Sequence, residues 1–243
     1  MGTSTGYEAP TTPDWSDLKG QVTRAARNGS ASSTAANDAL RGFIQTSGGA
    51  HNISRGGGAI GVGRSAQNTA QGMAGFISTV GSDGLQQALN SYGLSEFVGK
   101  SAGEIIPALV DKLGGPASTI NDSDARNALS KVMDELLGDL KTPEQVEDAL
   151  EQVMAGEALE GLLSTFFGYY LYEQFCRVFY ERLVNRVGRS NTDSYLNSIF
   201  DTIKSSLALK ASGRDLSQVD WGGPEGQNIT DTILQDTFEI FGG

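Results

Sequence analysis

Residues 157–187 read EALEGLLSTFFGYYLYEQFCRVFYERLVNRV and decide the fold of the chain. Apolar residues recur there at spacings of three and four, which covers more than half of a helical surface. At ~1.5 Å per residue, the stretch predicts a helix roughly 45 Å long that neighbouring elements bury on most sides. The alternative, a membrane span, needs about 20 uninterrupted apolar residues. Glu173 and Gln174 interrupt this run and Arg177 follows, so the stretch predicts a core helix.

Charge divides the chain into two unlike parts. The net charge is −11 over 243 residues, and a chain of this length can bury one sizeable core. Residues 1–75 hold six Lys and Arg against four Asp and Glu, whereas residues 76–243 hold 12 against 25, a net charge of −13. Because so acidic a surface repels phosphate backbones, we expect no direct binding to nucleic acid.

Two features of the sequence bear on localisation. A single cysteine, Cys176, excludes an internal disulfide framework and indicates a reducing compartment. The N-terminus has neither the basic nor the apolar region of a secretory signal. We therefore expect a cytoplasmic protein that does not associate with a membrane.

The first 14 residues, MGTSTGYEAPTTPD, contain two glycines, two prolines and almost no apolar surface. This composition predicts an extended, flexible N-terminal tail over residues 1–14. Asp14 is suited to cap the helix that follows over residues 15–29, which the Asn-Gly pair at its end should terminate. Trp15 and Leu18 lie on one side of that helix and should dock it on the body.

The rest of the chain shows helical patterns separated by one long Gly-rich stretch, which predicts a loop over residues 46–63. No segment alternates with period two for long enough to predict a strand. The fold class is therefore all-α, with a single irregular helical domain over residues 15–243. Further helices are predicted at residues 34–45, 64–80, 83–91, 101–113, 122–140, 143–155, 157–187, 191–211 and 228–241.

The Gly-rich loop contains two nucleotide-binding spacings. Residues Gly58 to Ser65 match a P-loop in which Arg64 replaces the required Lys, and GVGRSA at residues 61–66 is a degenerate dinucleotide motif. Both motifs bind phosphate only between a buried strand and a helix. The preceding sequence, SGGAHNISRGG, does not have the pattern of a strand. The alternative interpretation, a mobile connector, is therefore favoured.

Catalytic residues and a metal site are not apparent in the sequence. His51 is the only histidine, which excludes a paired-histidine metal site, and it lies in the predicted loop without a nucleophile-elbow motif. Cys176 lies within the aromatic helix, where a thiol is more often buried and inert. The tyrosines of the same helix suit an aromatic ligand pocket less well than core packing.

The N-terminus offers one reactive group of its own. Gly2 is small enough for Met1 to be removed, which exposes an α-amine with a pKa near 8. Thr3, Ser4, Thr5 and Gly6 are narrow and suit a groove, although Gly6 does not match the myristoylation motif. The alternative interpretation is an unmodified disordered tail.

Four segments together carry a family resemblance: MGTSTGY with PDWSDLK after it, GGGAIGVGRSAQNTAQGMAGFIS, LNSYGLSEFVGKSAGEIIPALVDKLGG and FFGYYLYEQF. Over most of its length the chain resembles the QatB family, the B components of the Qat anti-phage defence system. The resemblance implies a bacterial protein that acts with a QueC-like enzyme (QatC), a P-loop ATPase (QatA) and a TatD-like nuclease (QatD).

The resemblance also implies a role for the tail. QueC-like enzymes activate the carboxylate of a 7-deazaguanine precursor with ATP, and in defence systems they are associated with joining the base to a partner's N-terminal glycine. Gly2 would be the acceptor. The partner's channel would hold Thr3, Ser4, Thr5, Gly6 and Tyr7. Trp15 and Leu18 would anchor the base of the tail. The ATP, any zinc and the precursor would be bound by the partner, so the chain needs no cofactor of its own.

Three hypotheses follow from the sequence. In the first, the chain is a non-enzymatic protein substrate that is conjugated at Gly2. In the second, it is an unmodified helical adaptor that docks the ATPase or the nuclease. In the third, Gly58 to Ser65 bind a nucleotide.

Overall fold

A computed structural model describes residues 10–55, 63–115, 119–154, 157–209 and 213–242. Those ranges contain no strand, so the prediction of an all-α fold is confirmed. Short 3₁₀ turns lie at Ala26–Asn28 and Ser95–Phe97. The α-helices of the same ranges are α1 Pro13–Ala25, α2 Ser33–Thr46, α3 Ala50–Ser54, α4 Arg64–Ser91, α5 Ala102–Leu113, α6 Ile120–Leu137, α7 Pro143–Met154, α8 Ala158–Val187, α9 Arg189–Ala208 and α10 Pro224–Gly242.

The long aromatic helix predicted at residues 157–187 is α8, and it lies at the centre of the fold. It packs against α9, α6, α10, α7, α4 and α1, and most of its aromatic side chains are buried, whereas Tyr172 is partly buried and Tyr180 is exposed. The buried apolar residues of all the described helices join in one core. Within the described part of the chain, no helix is long and apolar enough to cross a membrane.

Glycines with positive φ set two of the helix junctions. Gly29, with a φ of 73°, follows the 3₁₀ turn after α1, as the Asn-Gly pair predicted. Gly188 alone joins α8 to α9, with a φ of 83°. A side chain at either position would be strained, because only glycine adopts this conformation without steric cost.

The break between the two helices predicted at residues 64–80 and 83–91 is present, but it lies a few residues later than predicted. Within α4, Arg64–Ser91, the helical backbone is interrupted by a kink at Gly84, where φ is 83°. The Glu147 side chain accepts a hydrogen bond from Leu85 N just after the kink, at 2.8 Å. That bond gives a partner to a backbone amide that the break leaves outside the helical pattern.

The predicted loop over residues 46–63 is also corrected. Its first residue, Thr46, ends α2, and residues 50–54 form the short helix α3, where Ile53 is buried. Residues 56–62 lie outside the described ranges. Sequence patterns missed α3 because a single apolar residue among Gly, Ser and Asn gives no periodic signal.

Helix starts follow capping chemistry, with shifts of a few residues. The sequence placed the start of α6 at Asn121 or Asp122, but Thr119 is the N-cap, and it exchanges hydrogen bonds with Asp122 in a capping box. Ser101 and Glu104 form the equivalent box at α5. In each box, the side chains satisfy backbone amides that the first turn leaves without partners.

Candidate functional site

The N-terminal tail meets the body at the start of α1. Proline occupies the first helical position, Pro13, and the N-cap is Thr12, not Asp14 as predicted. Asp14 instead lies in the first turn, where a carboxylate is favoured by the helix dipole. The last two residues of the predicted tail therefore belong to the helix.

Buried aromatic contacts attach α1 to the core. Trp15 is 1% exposed and Leu18 is 3% exposed. The Trp15 ring lies edge-on to Phe43 of α2, with centroids 6.0 Å apart. Phe43 in turn contacts Phe175 and Phe179 of α8, at 5.6 and 6.0 Å. Trp15 and Leu18 therefore hold α1 on α8 through α2, and their side chains offer no surface to a partner.

One hydrogen bond fixes the chain just before α1. The Lys19 ammonium donates to the carbonyl oxygen of Pro10 at 2.7 Å. Burial, and then the nearby Arg182 guanidinium, lower the pKa of Lys19 from its ordinary value. Because Lys19 lies on α1, which Trp15 and Leu18 attach to the core, this contact fixes Pro10, the first residue of the described range 10–55.

A polar groove of about 480 Å³ lies between α1 and α2. Asp14, Asp17 and Asp38 line it together with Arg41, so its charged groups sum to a negative charge. Arg41 lies 3.9 Å from Asp38 in an exposed pair, which is worth little in water. The base of the tail therefore presents an acidic, hydrated surface.

Of the predicted site residues, the structure places only Trp15 and Leu18. Gly2, Thr3, Ser4, Thr5, Gly6 and Tyr7 lie outside the described ranges. Their proposed roles remain predictions.

The predicted nucleotide motif lies partly outside the described ranges, which resume at Gly63. The described segment before it is the short helix α3, so the strand that a P-loop requires is not found there. The Ser65 hydroxyl donates to Asp122 of α6 at 2.6 Å. His51, within α3, lies 3.3 Å from the Gln235 side-chain oxygen at an exposed position.

Sequence reasoning missed a buried polar cluster between α6 and α8, formed by Asp124, Tyr170, Gln174 and Arg177. Arg177 Nε lies 3.3 Å from Asp124 Oδ2, and Arg177 also donates to Asn121 at 3.0 Å. Gln174 and Tyr170 are fully buried, and in the described ranges their polar groups make no well-aligned hydrogen bond. The one signal in the sequence was Gln174, which interrupts the apolar run.

Burial has a strong effect on the acid of this cluster. It raises the pKa of Asp124 to about 7, although the Arg177 guanidinium opposes the rise. Burial also raises the pKa of Tyr170, and the Asp124 charge adds to that rise. The cluster can therefore change its charge near neutral pH, which an exposed carboxyl group cannot do.

The thiol of Cys176 is a poor nucleophile at neutral pH. Burial raises its pKa to about 12, and only the thiolate reacts. Among the residues that the structure describes, no group of His, Cys, Asp and Glu is arranged to hold a metal ion.

One protein family matches the chain. The match is to the family described as Qat anti-phage system associated protein QatB, and it covers residues 57–241, about three quarters of the chain. The chain belongs to the QatB family. The QatB match begins between α3 and α4 and includes the helices from α4 to α10, so it extends to the C-terminal part of the chain. No curated protein and no solved structure matches the chain.

Proposed function

We propose that this QatB-family protein is a non-enzymatic substrate, whose Gly2 is conjugated to a 7-deazaguanine base by a QueC-like partner (QatC). Family membership makes the chain a component of an anti-phage defence system. The tail lies outside the matched residues, so its role rests on the sequence of residues 1–9 and on the geometry of its base.

The conjugation is an acyl transfer. ATP and the precursor's carboxylate form an acyl-adenylate on the partner, with release of pyrophosphate. Neutral Gly2 amine attacks the activated carbonyl carbon, a C–N bond forms, the C–O bond to the phosphate breaks, and AMP leaves. The proton that the amine loses passes to a base on the partner or to water. Glycine suits this role because it adds no side chain beside the reacting nitrogen.

The observation that carries the proposal is the anchored base of the tail. Trp15 is buried in the core, and Lys19 holds the Pro10 carbonyl, so Pro10 has a fixed position on the body. After loss of Met1, the eight residues from Gly2 to Ala9 can span at most about 29 Å. That length allows the terminal amine to enter another protein's active site while the helical body stays outside.

The remaining chemistry belongs to the partners. The ATP, the 7-deazaguanine precursor and any zinc would be bound by the QueC-like enzyme. The P-loop ATPase (QatA) and the TatD-like nuclease (QatD) would act with the conjugated protein in the same system.

The proposal is tested by intact-mass measurement after co-expression with the QueC-like partner. We expect loss of Met1 and a gain of one precursor minus one water, confined to the N-terminal peptide. Gly2→Pro should abolish the gain, because proline presents a hindered secondary amine, whereas the control Thr11→Ala, at an exposed position outside the residues assigned to the partner's channel, leaves the acceptor unchanged and should keep it. An unchanged mass beyond Met1 loss, with active partner and precursor present, would overturn the proposal.

A second experiment separates conjugation from docking. Deletion of residues 2–8 removes the acceptor but leaves α1 and its anchor intact, so we expect loss of phage protection. Full protection after this deletion would favour the adaptor hypothesis, in which the helical body docks QatA or QatD without being modified.

A further inference from the structure

A pocket of about 390 Å³ lies between α6, α8 and α9, and the proposed function does not use it. Gly161 and Thr165 of α8 line one wall, and Leu207 and Ala208 of α9 line another. Glycine and alanine leave space between helices that otherwise pack closely. Volumes of roughly 300–1,000 Å³ between the helices of a bundle are typical of small-molecule sites.

Three side chains at this pocket form a connected polar group. The Tyr169 hydroxyl donates to Glu135 Oε2 at 2.5 Å, and the Lys204 ammonium donates to Glu135 Oε1 at 2.6 Å. Burial alone would raise the pKa of Glu135, but the hydrogen bonds from Lys204 and Tyr169 outweigh it and lower the pKa. Glu135 is therefore ionised at neutral pH, with both oxygens held in position from two different helices.

The charge of this group selects the class of ligand. Lys204 and Glu135 neutralise each other, so the pocket has no net charge to offer to an anion or to a cation. A neutral ligand with its own donors and acceptors is favoured. The ammonium has further N–H groups, and each carboxylate oxygen has a second lone pair.

The order of these atoms specifies the ligand further. Lys204 Nζ is a donor, and the two oxygens of Glu135 follow it as acceptors. The complementary edge therefore carries one acceptor followed by two donors. Among nucleobases, guanine has this order in O6, N1–H and the 2-amino group. Hypoxanthine lacks the last donor, and adenine supplies only one donor beside one acceptor.

We propose that the pocket between α6, α8 and α9 binds a guanine-type base by its 2-amino-4-oxo edge. The carbonyl accepts from Lys204, and the ring N–H and amino groups donate to the two oxygens of Glu135. Tyr169 keeps the carboxylate oriented, and Phe200, whose ring centroid lies 5.7 Å from Lys204 Nζ, supports the ammonium. This binding does not depend on conjugation at Gly2. If both occur, the body recognises the same kind of base that the tail carries.

The test uses the purified full chain, expressed without its partner, and titrates guanosine, inosine and adenosine by NMR. We expect saturable guanosine binding that is at least about tenfold tighter than that of inosine or adenosine, because each of these lacks a hydrogen bond to a charged group that guanosine makes. Absence of saturable guanosine binding, or equal binding of adenosine, would overturn the proposal. Because no partner is present, either result is independent of the mass gain at Gly2.

Variants then assign the binding to this pocket. Glu135→Gln and Lys204→Met should each weaken guanosine binding at least about tenfold. The control Lys100→Met breaks an exposed pair with Glu104, whose nearest atoms are 3.7 Å apart, and should bind guanosine as the wild type does. Wild-type affinity in both pocket variants would contradict the proposal. A purely structural role for the pair would lower the unfolding midpoint without changing the preference among the three nucleosides.

Discussion

Two sides of α8 are packed in different ways. One side carries Phe175 and Phe179, whose rings are tilted against each other and lie edge-on to Phe43 of α2. The other side carries Gln174, which is fully buried, and Arg177, which pairs with Asp124 of α6. Both sides are buried, but one buries aromatic side chains and the other buries polar and charged side chains.

The aromatic side of α8 contributes mainly to stability, whereas the polar side affects the charge of the core. Aromatic packing lowers the free energy of the folded state wherever apolar surface leaves water. A buried ion pair contributes much less, because its attraction has to offset the loss of hydration of both charges. The aromatic side therefore holds the tail's anchor in place, and the polar side makes the core sensitive to pH.

The largest effect is expected from a substitution that disrupts the aromatic side of α8. Phe175→Asp would place an unpaired charge among aromatic rings and leave a cavity. Truncation of a buried Phe alone costs about 3–5 kcal/mol, and the buried charge adds to that cost. We expect no cooperative unfolding transition by circular dichroism. The matched control Phe175→Leu should unfold cooperatively after a loss of about 1 kcal/mol. A near-normal midpoint for Phe175→Asp would show that this side is not the core.

An intermediate effect is expected from a substitution that disrupts the polar side of α8. Arg177→Met leaves the Asp124 carboxylate buried without its cation, and we expect a loss of about 3 kcal/mol at pH 8 in urea titrations. The loss should be smaller at pH 5, where Asp124 is protonated. Arg41→Met, which breaks an exposed pair with Asp38, is the control and should cost less than about 1 kcal/mol. Equal costs for Arg177→Met and Arg41→Met would contradict the difference between the two sites.

The smallest expected effect is a change in how the free energy of unfolding depends on pH. The pKa of Asp124 is about 7 in the folded chain and 3.8 without burial. Between these values the folded state keeps a proton that the unfolded state has released, so stability falls as pH rises. One such group contributes at most about 1.4 kcal/mol per pH unit.

This slope is measured as the free energy of unfolding from pH 5 to pH 7. Asp124→Asn should remove the Asp124 contribution, and its curve should diverge from the wild-type curve with increasing pH. Asp38→Asn, at an exposed site, should run parallel to the wild type. Parallel curves for Asp124→Asn and the wild type would contradict the buried pKa.

Much of the fold followed from local patterns. The spacing of apolar residues in α8 predicted its length and burial, and turn chemistry predicted Gly29. The break within α4 was predicted between residues 80 and 83, but its exact position at Gly84 was not, because Glu147, the partner of the freed amide of Leu85, lies 62 residues away. Short α3 was missed because one buried residue, Ile53, is too few to reveal a period.

The sites were less predictable than the fold. Asp124 and Arg177 form a pair only because α6 packs on α8, and Glu135 and Lys204 are separated by 69 residues. Spacing along one helix cannot reveal a partner on another. The interpretation of Gly2 came from chemistry at the chain terminus and from the family resemblance, and packing contributed nothing to it.

α9 extends from a single-residue junction at Gly188, so a small rotation at this junction would produce a larger displacement at the far end of the helix. Its 20 residues extend about 30 Å from that junction, and Leu207 and Ala208, near its far end, line the pocket. Over that length, a rotation of about 5° at Gly188 would displace the pocket wall by roughly 2.6 Å. Ile203 and Leu207 lie directly over Gly168 of α8, and this contact acts as a stop that opposes inward movement. The position of this pocket wall is therefore determined by the backbone angles of Gly188 together with the packing of Ile203 and Leu207 on Gly168.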